Sequence, residues 1–390
     1  MMKKRILVVF GTRPEAVKLA PFILTAQKDD RFDVIVCSTG QHREMLKPVL
    51  KFFNIQCQYD LDLMKPGQSL IDISMGVMAG LQNIIKTEKV DSIVVQGDTT
   101  TCFIASLVAF YNQIHVTHVE AGLRSHDMYS PFPEEFNRRA TGLVANLHLA
   151  PTETSAKNLI NEGFDQNKIF VTGNTGIDAL LFVDQKIKAD AGLQQEFAQK
   201  YAFLNANKKL ILVTLHRRES FGETMENVMQ GIVELAKDSQ YEFLFPIHMN
   251  PQVRKSAEKV MGNYSQWVGS ENPQHNIWLI DPIDYIPFVY VMNKAHLILT
   301  DSGGIQEEAP SLGKPILVAR ENTERPEAIE AGTSCLVPLK TNEFVLFVRS
   351  ILNDADRLNK MGTAKNPYGD GTACVQSLNH LYQQLVDKNK

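Results

Sequence analysis

No Cys-x-x-Cys pair and no Cys/His cluster occurs in these 390 residues. The five cysteines, Cys37, Cys57, Cys102, Cys335 and Cys374, lie far apart. That spacing excludes a disulfide framework or a zinc site and fits reduced thiols, so no metal is expected. Charge of one sign is lacking too: 40 Lys and Arg against 44 Asp and Glu leave a net charge of −4. That balance is no footprint for a nucleic acid. Long apolar runs are also missing; the longest, Cys102 to Tyr111, falls well short of a membrane span. The start, Met1-Met2-Lys3-Lys4-Arg5 before Ile6-Leu7-Val8-Val9-Phe10, has the outline of a leader. It is cut at once by Gly11-Thr12-Arg13-Pro14-Glu15. A cytoplasmic protein without membrane insertion is therefore expected. The patterns GxGxxG and GxxxxGK[ST] are both absent, which removes the strongest support for NAD and P-loop ATP chemistry.

What is present is an ordinary globular composition, 44% hydrophobic and 22% charged, on a chain too long for one typical core. Short apolar runs alternate with longer amphipathic segments. In the first half the runs are Ile6–Phe10, Val34–Ser38, Ser92–Gln96, Val116–Val119, Leu147–Ala150 and Ile169–Thr172. In the second they are Leu210–Leu215, Phe243–Ile247, Ile277–Ile280, Leu297–Thr300, Pro315–Val318 and Cys335–Val337. Near-continuous apolar runs predict parallel strands covered on both faces. The fold class expected is α/β, with two Rossmann-like doubly wound domains facing a cleft. The polar stretch from Asp184 to Lys209 reads as helix and connector, placing the boundary between Thr172 and Lys208. Arg13-Pro14-Glu15-Ala16 recurs as Arg325-Pro326-Glu327-Ala328, but no fixed-period repeat does.

In such sheets ligands bind outside the carboxyl ends of the strands. Thr300-Asp301-Ser302-Gly303-Gly304-Ile305-Gln306-Glu307-Glu308 follows an apolar run and leads into a helix. Its Ser-Gly-Gly turn leaves backbone N–H groups uncovered for a phosphate, with Ser302 adding a donor and Glu308 placed for a sugar hydroxyl. His216, with Arg217 and Arg218, can hold a diphosphate and act on a leaving oxygen. Arg325 is a further phosphate candidate, and His248 is a weaker signal. The first half ends its strands differently, in Gly97-Asp98-Thr99, His118-Val119-Glu120 and the Pro-broken loop before Glu134-Glu135. Asp98, Glu120 and one of Glu134 or Glu135 can converge, and crowded carboxylates push one another's pKa upward, suiting acid and base roles. Together these features point to an enzyme acting on a nucleotide-diphosphate sugar.

With Phe10-Gly11-Thr12-Arg13-Pro14-Glu15-Ala16, Gln41-His42-Arg43-Glu44-Met45, Gln96-Gly97-Asp98-Thr99-Thr100-Thr101, His118-Val119-Glu120-Ala121-Gly122-Leu123-Arg124, His216-Arg217-Arg218-Glu219, Asp301 to Glu308, Thr323 to Glu327 and Asn366 to Gly371 in order, the chain resembles the non-hydrolysing UDP-N-acetylglucosamine 2-epimerases nearly end to end. The resemblance implies a glycosyltransferase-B-like arrangement: an N-terminal domain over 1–174, a UDP-binding domain over 175–368, and a helix over 369–390 returning to the first domain. It implies a homodimer, no cofactor, and reversible epimerisation at C2 through elimination of UDP to 2-acetamidoglucal and re-addition, for cell-surface polysaccharide precursors.

Carried over by motif, Asp98, Glu120 and Glu134 are candidates for proton transfer and His216 for the leaving diphosphate. Arg13, Lys18, Ser302, Gly303, Gly304 and Arg325 would hold the diphosphate, Glu308 the ribose, and Phe288 would pack near uracil. Gln41, Glu44 and His248 match part of a site for a second UDP-N-acetylglucosamine as activator. Lys65-Pro66-Gly67-Gln68 departs from relatives with an Arg there, and Leu215 replaces a small residue before His216. Alternatives within reach of the same motifs are a 2-epimerase of a 6-deoxy or uronic-acid UDP-N-acetyl sugar, a hydrolytic epimerase, a glycosyltransferase and a non-catalytic nucleotide-sugar sensor.

Overall fold

Each apolar run becomes a strand, and the central ones have cover on both faces, as the all-buried patterns of Ser92–Gln96 and Leu297–Thr300 show. The structure, a computed structural model, describes residues 3–41, 43–65, 67–269 and 275–387. It divides into two compact units, one of residues up to Ala179 with those from Tyr368 on, the other Leu180–Pro367. The first crossing falls inside the helix Thr175–Ala189, between Ala179 and Leu180, three residues after Gly176.

The first unit holds β1 (Lys4–Phe10), β2 (Phe32–Ser38), β3 (Tyr59–Asp60), β4 (Ser92–Gln96), β5 (His115–Val119), β6 (Leu147–Ala150) and β7 (Ile169–Val171). They form one parallel sheet in the order β3-β2-β1-β4-β5-β6-β7. The second unit holds β8 (Lys209–Thr214), β9 (Tyr241–Pro246), β10 (Gln266–Trp267), β11 (Ile277–Ile280), β12 (Leu297–Thr300), β13 (Ile316–Val318) and β14 (Ser334–Leu336). These are also parallel, ordered β10-β11-β9-β8-β12-β13-β14. The α/β class and the six runs per half are thus present, and each sheet gains one edge strand that the sequence did not signal. Both of those, β3 and β10, are two residues long, too short to leave an apolar run.

Sheet order reverses beside β1 and beside β8, the first strands of their units, and the polar loops gather at the carboxyl ends of those strands and their neighbours. The last helix, Ala373–Asp387, packs on the first unit: Tyr382 meets Phe32 edge-on at 5.9 Å and His380 stacks on Phe170 at 4.0 Å. Among the described residues no helix is long and apolar enough to cross a membrane.

Candidate active site

In the first unit, Gln96 pairs with Val119 across β4 and β5, so Asp98 and Glu120 leave adjacent strand ends. Glu120 adopts φ +63°, a left-handed conformation that costs a non-glycine residue about 1 kcal/mol or more. The bonds that hold it there are on its side chain. Lys18 Nζ lies 2.6 Å from both carboxylate oxygens, and Gln96 Nε2 donates to Oε2. Asp98 is anchored from the helix Glu134–Val144: Arg138 donates to Oδ2 through Nε at 3.1 Å and through Nη2, and Asn137 donates to the Asp98 carbonyl at 2.9 Å. Burial raises the Asp98 carboxyl above its usual range; the Arg138 charge opposes this and the Glu120 charge adds to it. The two carboxylates therefore sense each other, as crowding predicts.

Glu134 and Glu135 differ in burial. Glu135 is fully buried, accepts the Ser125 N–H at 2.9 Å and pairs with Arg138 at 3.2 Å; it positions Arg138. Glu134 opens the same helix and is half-buried. Glu15 is structural as well. It is buried and accepts the N–H groups of Gly11 and Thr12 at 3.1 and 2.8 Å and the Thr99 hydroxyl at 2.7 Å, tying the loop after β1 to the loop after β4. Arg13 opens the helix Arg13–Gln27 beside it.

His118 lies behind this site, its Nε2 donating to the Gly97 carbonyl at 2.7 Å. Burial, with the Arg124 and Arg138 charges, lowers it to about 4; burial, with the His118, Arg124 and Lys168 charges, lowers buried His148 to about 3. Both rings fold neutral and regain an ordinary pKa near 6.5 on unfolding. Their contribution is complete above pH 6.5 and is lost as pH falls toward 4 and then 3. At about 1.36 kcal/mol per pH unit, His118 alone accounts for roughly 3 kcal/mol. Denaturation midpoints measured from pH 7 to 4 are expected to fall, and to fall less steeply in His118→Gln; equal slopes would contradict the assignment.

In the second unit, register does the same work. Thr214 pairs with Thr300 across β8 and β12, their hydroxyls 2.6 Å apart, and this sets His216 beside Asp301. Asp301 is fully buried; its Oδ2 accepts the N–H groups of His216 and Arg217, each at 2.8 Å, and its Oδ1 lies 3.1 Å from His216 Nδ1. His248, after β9, stacks on the His216 ring at 5.5 Å and 23°. Burial and the His216 charge hold His248 below its usual value, with Asp301 opposing.

The Ser302–Gly304 turn behaves as its glycines suggest. A Cβ on Gly303 would stand 3.4 Å from Arg325 Nη2 and 3.6 Å from Arg217 Nη2, while one on Gly304 would meet nothing within 4 Å. Two guanidinium groups thus flank an open turn, a geometry suited to a diphosphate. Arg325 is braced by Glu307 through Nε. Ser302 uses its hydroxyl for no cap of the helix Gly303–Glu308. At the far end of that helix Glu308 acts, after burial, to raise the Tyr285 hydroxyl, one turn from half-buried Phe288 on the helix Tyr285–Lys294.

The family profile described as UDP-N-acetylglucosamine 2-epimerase matches residues 24–382. A UDP-N-acetylglucosamine 2-epimerase of Yersinia pestis is 51% identical over 383 residues, 98% of this chain and 99% of that one. The chain belongs to this family. The crystal structure of the Neisseria meningitidis UDP-GlcNAc 2-epimerase bound to UDP-GlcNAc is 46% identical, with a TM-score of 0.85 over 97% of this chain and all of that one. A Methanocaldococcus jannaschii UDP-GlcNAc 2-epimerase in complex with UDP-GlcNAc and UDP matches at 32% identity and a TM-score of 0.76, over 97% and 99% of the two chains. The two-domain fold of the family is the one described above.

Within the family frame the structure groups the predicted residues in two sets. Asp98, Glu120 and Lys18 form one; His216, His248, Arg325, Ser302, Gly303 and Gly304 form the other. Lys18, expected on the diphosphate, engages Glu120. Gln41 accepts the Thr101 hydroxyl at 3.3 Å, and exposed Glu44 pairs with Lys47 at 2.7 Å. Leu215 is buried in the apolar core of the second unit. Pro66, in the departing segment, lies outside the described residues. Asp301 and Arg138 escaped the candidate set because their partners lie 85 and 40 residues away.

Proposed function

We propose that this chain interconverts UDP-N-acetylglucosamine and UDP-N-acetylmannosamine by anti elimination of UDP and re-addition. The reading is carried by the coupled pair Asp98 and Glu120, with Arg138 on one and Lys18 on the other. One of the pair removes the C2 proton; the C–H electrons become the C1=C2 bond of 2-acetamidoglucal, and the C1–O electrons leave on UDP. The other returns a proton to C2 from the opposite face as the UDP oxygen re-attacks C1. Reversal exchanges the two roles, and Glu134 is the third proton-transfer candidate. His216, donating Nδ1–H toward Asp301 when both nitrogens carry protons, offers Nε2–H to the leaving diphosphate. Arg217, Arg325, Ser302, Gly303 and Gly304 hold that diphosphate, joined by Arg13, with Glu308 on ribose and Phe288 near uracil. Lys18 is read as the partner of Glu120 rather than as a phosphate ligand.

No step uses a metal or a redox cofactor. The product would feed cell-surface polysaccharide synthesis from the cytoplasm. Incubating the protein with UDP-N-acetylglucosamine and following the anomeric signals by NMR tests the reading. UDP-N-acetylmannosamine is the expected product. Free N-acetylmannosamine with UDP would mean hydrolysis, and unchanged substrate would point to a modified UDP-N-acetyl sugar.

The second UDP-N-acetylglucosamine, read from Gln41, Glu44 and His248, predicts sigmoidal substrate dependence; a hyperbolic curve contradicts it. A homodimer is supported by an apolar face on three helices of the first unit. Ile71 (68% exposed) and Met75 on Leu70–Thr87, Tyr111 (68%) and Phe110 on Thr100–Tyr111, and Leu143 (76%) on Glu134–Val144 face solvent in the single chain. Such a patch is unusual for a monomer. Ile71→Asp with Tyr111→Asp is expected to halve the mass measured by light scattering, and an unchanged mass would contradict the assignment of this face.

A further inference from the structure

The second unit has a cavity that none of the chemistry above uses. It opens at the amino ends of β8, β12 and β13, where Lys209, His296 and Pro315 begin or precede the strands, and it measures about 590 Å³. His216 and Asp301 follow the opposite ends of β8 and β12, so the length of β8, about 20 Å at ~3.3 Å per residue, separates the two places. The helix Ala355–Thr363 and the loop before it close the other wall with Asn353, Asn359 and Thr363.

Its lining carries two cations, Lys209 and Lys314, and no carboxylate, on a chain whose net charge is −4. Both ammonium groups act on one ring: burial first, then Lys209 and Lys314, lower the His296 pKa. Two carboxylates outside the lining sense these lysines, Asp184 with Lys314 and Asp238 with Lys209, but make their close contacts to other groups. Asp184 binds Lys188 at 2.7 Å and accepts from Asn293, and Asp238 accepts from Gln240 at 2.7 and 3.1 Å. Lys314 is held in place by its 2.7 Å bond to the Asn293 carbonyl. Two cations acting on one ring and the exposed amides of Asn353 and Asn359, in a volume typical of small-molecule sites, describe a receptor for a phosphate ester. The amides suit a polyol. We propose that this cavity binds a small phosphorylated sugar, at a site distinct from the one that handles UDP.

Titration calorimetry with ribose 5-phosphate, on the full chain with saturating UDP present, tests this. UDP blocks the anion site proposed beside Gly303, and the Lys209→Gln comparison assigns the remaining binding to the cavity whether or not the epimerase reading holds. Saturable binding is expected. Lys209→Gln, at an exposed strand start, should weaken it at least tenfold with unchanged melting, and Lys209→Gln with Lys314→Gln should abolish it. Absence of binding, or binding indifferent to Lys209→Gln, would overturn the proposal. Equally tight binding of inorganic phosphate would overturn the sugar part of it.

Discussion

Asp98→Asn is expected to lower kcat for epimerisation by about 10²–10⁴-fold, the range removed with a positioned proton-transfer group. The substitution is close to isosteric. The Asp98 carbonyl keeps its bond from Asn137, and Arg138 keeps Glu135. Arg138 loses one of its two carboxylate partners, at a cost of roughly 1–3 kcal/mol in stability, which leaves the protein folded. UDP affinity should stay within about twofold, because Asp98 is not among the groups proposed to hold UDP and any lost stability is shared by free and bound protein. NMR turnover with calorimetric UDP binding separates these outcomes. A loss of less than about tenfold in kcat, or a parallel loss of UDP binding, contradicts the role.

The second large effect is expected at a residue that never touches the reacting carbon. Asp301→Asn keeps the volume but supplies one oxygen where the carboxylate has two. If that oxygen keeps the His216 and Arg217 N–H groups, the amide NH₂ faces His216 Nδ1 and turns a proton acceptor into a donor. The ring then cannot carry a proton on Nδ1 and also donate from Nε2, so the leaving diphosphate loses its donor. A loss of about 10²–10³ in kcat is expected, the scale of one pre-organised donor. Melting should change little, since both backbone bonds persist. His216→Asn combined with Asp301→Asn should cost hardly more than either alone, because the two act as a unit. Additive losses would place Asp301 in a separate, structural role.

These residues show where sequence reading reaches and where it stops. Val8, Val94 and Leu299 lie in runs apolar on both faces, and such runs are legible as buried parallel strands without knowing their neighbours. The acidic and basic endings of those runs were legible for the same reason, since loops after parallel strands carry the ligands. What could not be read was which ending stands beside which. Asp301 matters because β12 lies beside β8, and Arg138 because its helix covers the loop after β4. Neither adjacency has a local signature. Glu120 at φ +63° is equally silent, because the strain is paid for by Lys18 and Gln96, each distant in sequence. Glu15, by contrast, belonged to the family pattern but serves as a buried tie between two loops. A recurring motif does not distinguish a residue that touches substrate from one that holds the loop.

The most direct test is to run the reaction in D₂O and record C2 in both sugars. Proton transfer between solvent-exchanging groups on opposite faces predicts deuterium at C2 of UDP-N-acetylmannosamine from the first turnover, and in recovered UDP-N-acetylglucosamine as the reaction reverses. Epimerisation that retains hydrogen at C2 would contradict elimination and re-addition by Asp98 and Glu120.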